Sequence, residues 1–200
     1  MARSLLLCAC IIFGATGAYA QAGYIGIFSD PGGTDCGLVD AAPGLAIAYV
    51  VHVNTPGATA SQFRVASGDG FDCLWLGENS PFPIVIGNSQ DGISIAYGAC
   101  LASPIHILSI NYFCQGLSET CSWLYICPDP LAPTGLIEVV DCNQQKLIAS
   151  GGVLWVNPDW VTCGCWINAS GSKSPSASPV CTPPVPVEPS TWGAVKSLYR

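Results

Sequence analysis

The stretch DGISIAYGA, residues 91–99, alternates apolar side chains with small or polar ones. Successive side chains of an extended strand point to opposite faces. Ile93, Ile95 and Tyr97 therefore share one face, and Ser94 and Ala96 share the other. That period of two predicts a half-buried strand. Working outward, AIAYVVHVN (46–54), SQFRVAS (61–67), SPIHILSINYF (103–113), TGLIEVVDC (134–142) and GGVLWVN (151–157) are runs of the same kind, rich in β-branched or aromatic residues. Gly, Pro, Asn and Asp break them at the roughly 8–12-residue spacing of sandwiches and barrels. No segment carries a long helical period, and strands do not alternate with helices, which excludes a parallel α/β sheet. The expectation is an all-β, antiparallel two-sheet β-sandwich over residues 21–167, long enough to bury its own core.

The ends read differently. MARSLLLCACIIFGATGAYA (1–20) has Arg3, an apolar run from Leu5 to Phe13 and a small-residue finish at Ala18-Tyr19-Ala20. That is the layout of a cleavable secretion signal, with the mature chain beginning at Gln21. The apolar run falls short of the ~20 residues of a membrane span, and no second stretch qualifies. Residues 168–188 are rich in Pro and Ser and predict a linker, partly polyproline II. Asn168-Ala169-Ser170 fits the N-glycosylation triplet, which matters only in a host with the machinery.

Removing the signal takes Cys8 and Cys10 and leaves Cys36, Cys73, Cys100, Cys114, Cys121, Cys127, Cys142, Cys163, Cys165 and Cys181. An even set in an exported chain predicts disulfides. Zinc is disfavoured: there is no Cys-x-x-Cys, and the histidines are His52 and His106 alone. Cys163 and Cys165 are too close to bridge each other without strain, so each is expected to hold another partner. Cys181 either staples the tail to Cys163 or Cys165 or bridges to a second chain.

Charge is scarce, at 10% of residues against about 25% in ordinary soluble domains. Thirteen acids face six bases, for a formal net charge of −7. That balance excludes a nucleic-acid partner, which needs a basic stripe, and electrostatic docking on anionic lipid. Catalytic motifs are missing too: no Gly-x-Ser-x-Gly elbow, phosphate loop or His-Glu-x-x-His occurs. His52, in step with Ala48 and Val50, and His106, in step with Leu108 and Ile110, read as ordinary strand residues. No enzyme and no cofactor are expected. Asp30 and Asp35 in FSDPGGTDC, and Asp69 and Asp72 in SGDGFDC, are weak calcium candidates; turn chemistry explains them equally well. Trp155, Trp160 and Trp166 cluster within twelve residues. Exposed on a neutral surface they would stack on sugar rings; the plainer expectation is that they pack in the core.

The order YIGIF, TASQFRVA, GISIAYGAC, IHILSINYFC and IEVVDC resembles that of secreted bacterial cohesin-like and immunoglobulin-like β-sandwich modules, over roughly residues 23–160. In those modules the place of Gln62 to Val65 is a strand with one inward aromatic, which implies the same for Phe63. The resemblance implies the fold and no recognition residues, and the cysteine density departs from that family.

The ending PSTWGAVKSLYR (189–200) is similar to short C-terminal signals that hand exported bacterial proteins to a surface-sorting machine. Trp192, Val195 and Tyr199 lie at i, i+3 and i+7, one face of a short helix, with Ser190 or Thr191 as cap and Lys196 and Arg200 in its last turn. A peptide this short needs something to fold against. It is a docking handle for export or sorting machinery, packs back on its own domain, or is the remnant of a further module. The whole reads as a non-enzymatic structural or adhesive module, secreted, at the cell surface or periplasmic, with an unknown protein or glycan partner. The alternative is a carbohydrate-binding module using exposed Trp and Tyr.

Overall fold

The structure is a computed structural model. It describes residues 22–159 and Cys163, together with the backbone of 165–167 and 173–175. All its regular elements are strands. The first seven are β1 (Tyr24–Phe28), β2 (Gly37–Leu38), β3 (Pro43–Val53), β4 (Ala58–Ser67), β5 (Cys73–Asn79), β6 (Ile84–Asn88) and β7 (Gly92–Leu101). There follow β8 (Ile105–Gln115), β9 (Ser122–Cys127), β10 (Ile137–Asp141), β11 (Lys146–Gly151), β12 (Val153–Val156), β13 (Cys165–Ile167) and β14 (Lys173–Pro175).

Twelve of these join in one hydrogen-bonded sheet, ten along a continuous path and β6 and β7 as a branch on β4, and it doubles over into two layers. One layer runs β11–β1–β3–β8–β5. The other centres on β4. Along one edge β4 pairs β7, which carries β6. Along its other edge the first half of β4 pairs β10 and the second half pairs β9, beyond which lie β12 and β2. The β10–β11 hairpin links the layers. Pairing is antiparallel except for β1–β11 and β2–β12, which are parallel.

The alternation of 91–99 is realised as expected: Ile93, Ile95 and Tyr97 are buried while Ser94 and Ala96 face outward. They meet Ile25, Ile27, Val50, Ile107, Ile110, Leu124 and Ile126 in one core between the layers. Phe63 points inward and is fully buried, so the strand around Gln62 to Val65 carries its single inward aromatic.

One assignment of face changes. The β3–β8 register shifts between Val50 and Val51, so Val50 faces Leu108 while Val51 faces His106. The extra β8 residue turns His106 out of step with Leu108 and Ile110. Its ring packs edge-on against Tyr49, and its Nε2 meets Ser109 Oγ at 3.0 Å. His52 stays on the inner side, fully buried, with Nε2 2.6 Å from the Ala22 carbonyl. Burial holds His52 below the usual histidine range, partly opposed by that bond. A neutral ring donating Nε2–H is the tautomer the carbonyl selects.

Candidate functional site

The outer face of β6–β7–β4–β10 carries a trough whose shape follows from two rows of side chains. Pairing aligns Ile84, Ala96, Ala60 and Val140 in the first row, and Ile86, Ser94, Gln62 and Glu138 in the second. Both middle strands present small or short polar residues outward because their large residues, Phe63, Ile93 and Ile95, are drawn inward to the core. The rows are therefore low at the centre and high at the flanks. The result is an open groove of about 210 Å³, walled by Ile84 and Ile86 on one side and by Val140, Glu138 and Lys146 on the other. Ile84 and Ile86 remain 55% and 69% exposed.

β6 is an edge strand, paired only with β7, so nothing of the described chain covers those isoleucines. The hairpin that holds them is tightly specified. Asn88 Oδ1 accepts the Gln90 and Asp91 N–H groups, and Asn88 Nδ2 donates to Asp91. Gly87 adopts φ 86°, and a Cβ there would sit 2.1 Å from the Gly92 carbonyl oxygen.

The polar wall is equally fixed. Lys146 Nζ donates to Glu138 Oε2 at 2.8 Å, and the Thr134 hydroxyl donates to Oε1 at 2.8 Å. Those two bonds hold the Glu138 carboxyl below the usual carboxylate range against the opposing effect of burial. Glu138 is buried while Lys146 stays largely in solvent. On the floor, Gln62 Nε2 donates to Asp129 Oδ2 at 2.8 Å. The trough thus combines apolar flanks, a small-residue floor and a few fixed polar groups.

Of the sequence-predicted site residues, six cysteines are joined as Cys73–Cys114, Cys100–Cys142 and Cys121–Cys163. Cys36 and Cys127 are disulfide-bonded as well. Of the partners expected for Cys181, which were Cys163, Cys165 or a second chain, Cys163 is removed. The chain after β12 returns to the start of β9, where Cys121 N–H donates to the Asn157 carbonyl, and Cys163 is taken by Cys121. Cys181 and the Cys165 side chain lie outside the described residues, as do Trp160, Trp192, Val195, Tyr199 and the Trp166 side chain.

Asp30 is occupied by its own loop, accepting from the N–H groups of Gly32, Thr34 and Asp35. Asp35 accepts from the Gly37 N–H, and Asp69 and Asp72 are exposed. Neither loop's pair belongs to a group of three or more converging metal-type ligands among the described residues. Among the described residues, three metal-type ligand atoms converge at Asp40, Cys73 and Cys114, but the sulfurs are bonded to each other.

Trp155 is half-buried on the outer face of β12, directly opposite Trp123 on β9, with Tyr125 edge-on to Trp123. The trough itself escaped the reading of the sequence. Its signal was the small outward residues Ala60, Ser94 and Ala96 on strands with large inward ones, beside the apolar run Ile84-Val85-Ile86.

No family model matches the chain, and no curated protein matches it. Similarity is found among solved structures, and it lies with cohesins. A cohesin of Acetivibrio cellulolyticus scaffoldin B, in complex with a mutant Cel5 dockerin, aligns at 10% identity and TM-score 0.46, covering 70% of this chain and 100% of that one. The cohesin module of a Clostridium perfringens family 33 glycoside hydrolase aligns at 7% identity and TM-score 0.37, covering 68% and 99%. A type I cohesin–dockerin complex from Clostridium thermocellum gives 9% identity and TM-score 0.39, covering 70% and 98%. The likeness is one of fold. Among the described residues no helix is long and apolar enough to cross a membrane.

Proposed function

We propose that the protein is a non-enzymatic adhesive or scaffold module that works outside the cytoplasm and grips a protein partner in the β6–β7–β4–β10 trough. The observation that carries this reading is the pair of isoleucines left exposed beside a floor of Ala60, Ala96 and Ser94. A low floor between high walls accepts a ridge of side chains, and the free edge of β6 offers backbone groups to an extended segment. The fixed Glu138–Lys146 pair, 2.8 Å apart at the trough wall, supplies orientation. The disulfides support an oxidising compartment.

The test uses the purified exported chain, immobilised and exposed to the proteins of its own culture medium and to insoluble glycans. Ala96→Trp fills the trough without touching the core, and Ile86→Asp removes one wall. A partner held by the wild type should be lost from both variants at unchanged melting temperature. Ile86→Asp is expected to cost roughly 2 kcal/mol, about thirtyfold in affinity. A second reading, sugar binding, is favoured by the cross-strand pairing of the half-buried Trp123 and Trp155. Retention on glycan that survives Ala96→Trp would establish that reading in place of the first.

A further inference from the structure

The layer opposite the trough carries an apolar surface of its own. Leu45 on β3, Phe113 on β8 and Leu74 on β5 are direct cross-strand partners, so their side chains share one face. Ile47 and Leu76 stand two residues further along β3 and β5 on that face. Ala46, Tyr112 and Trp75 point the other way and pack on the core. Leu45, Leu74 and Leu76 are 76%, 63% and 51% exposed, and Ile47 and Phe113 are exposed as well. Together they present an apolar patch on the order of 500 Å², a size that marks an interaction surface. The face is also uncharged. β3, β5 and β8 hold no Lys, Arg or Asp. Their single Glu, Glu78, shares the inner side with Ile110 and accepts the Ser89 N–H at 2.9 Å. Acids begin only past the start of β5, where Asp69, Asp72 and Glu119 are exposed and the Glu119 N–H donates to the Gly70 carbonyl.

We infer that this face seats a second copy of the chain, the two copies stacked face to face about a two-fold axis. Three observations select that occupant. The first is charge. Acids outnumber bases thirteen to six, so two copies repel wherever acids meet, and an uncharged face is where they can approach. A strongly charged partner would find no opposite charge there to read. The second is area. Stacking two such patches removes about 1000 Å² from water through these side chains alone, the size at which specific interfaces begin. The third is self-complementarity, which a two-fold contact requires. With the axis running across the strands, between the Leu45 row and the Ile47 row, Leu45 lies over the partner's Ile47 and Leu74 over the partner's Leu76. Each contact then occurs twice. That axis also sends the two acidic rims to opposite ends, where Asp72 meets the partner's Asn79, an exposed and uncharged residue opposite Ser109. An axis along the strands would set like rims against each other, which costs affinity. Both troughs face away from the contact, so the pair presents two gripping surfaces on opposite sides.

Sedimentation velocity of the full exported chain, from about 1 to about 100 μM, provides the test. The wild type should pass from monomer to dimer across that range, as an interface of this modest area does. Leu45→Asp/Leu74→Asp, which alters exposed positions only, should stay monomeric throughout with an unchanged circular dichroism spectrum. Asn79→Lys should tighten the dimer about fivefold, because each new ammonium group faces the partner's Asp72. Ala96→Trp should dimerise like the wild type, which separates this contact from capture in the trough. A wild type that is monomeric over the whole range, a dimer that survives Leu45→Asp/Leu74→Asp, or one that Asn79→Lys weakens would overturn the inference.

Discussion

At the scale of single residues, the buried histidine sets how the fold responds to acid. His52 is fully buried, and its Nδ1 has no hydrogen-bond partner among the described residues. The unfolded chain protonates this ring near its ordinary value of 6.5, whereas the folded one resists to lower pH. The unfolded state therefore binds the extra proton first, so stability is full above about pH 6.5 and falls as pH drops through and below that value. Asp40 and Glu138 act in a lower window. Burial would raise the Asp40 carboxyl, but the Ser118 hydroxyl and the N–H groups of Ser118, Gly116 and Leu117 outweigh it and hold it below 3.8. Glu138 is held below 4.5, so both lose their contribution as pH falls under those ordinary values. Thermal melts between pH 7 and 5 should show a declining midpoint in the wild type. In His52→Gln that decline should flatten, while the fall below pH 4 persists. A wild-type midpoint constant from pH 7 to 5 would refute the assignment.

At the scale of elements, β6 is exposed along nearly its whole length and is also the strand that builds the trough wall. Gly87→Ala places a methyl group against the Gly92 carbonyl in a left-handed backbone conformation. It should cost about 1–3 kcal/mol and blunt partner capture together with stability. Chemical denaturation would show the first and the immobilised-chain assay the second. Legibility in the sequence followed the same division. β4, β7 and β8 were readable because one face of each is buried and the other is not, which gives alternation. β9 was missed because Trp123, Leu124, Tyr125, Ile126 and Cys127 are wholly or partly buried on both faces, which erases the period. β5 was missed because its outward residues Leu74 and Leu76 are as apolar as the inward Trp75, which hides the period. β6 was missed because an edge strand bearing Ile84, Val85 and Ile86 has no polar face at all. The trough was illegible for a deeper reason: it exists only when β6, β7, β4 and β10 lie side by side, and their order in space is not their order in the chain.

At the scale of the whole molecule, covalent bridges add to a core that is already continuous. Cys100–Cys142 ties the end of β7 to the end of β10, closing 42 residues. A loop of that length is worth about 4 kcal/mol in the chain-entropy description. Replacing both cysteines by Ala should lower stability by up to that amount while leaving the strand spectrum intact, because Ile93, Ile107, Leu124 and Ile126 still pack together. The bridges also interlock along the sequence. They span 73–114, 100–142 and 121–163, so each opens before the previous one has closed. Any single peptide-bond cut between residues 73 and 163 then falls inside at least one ring. A protease that nicks the exposed loop around Leu131 should leave the fragments travelling as one species on a non-reducing gel and as two after thiol treatment. Damage that severs an ordinary chain would here merely open a hoop, and the module would stay in one piece until its sulfur bonds were broken as well.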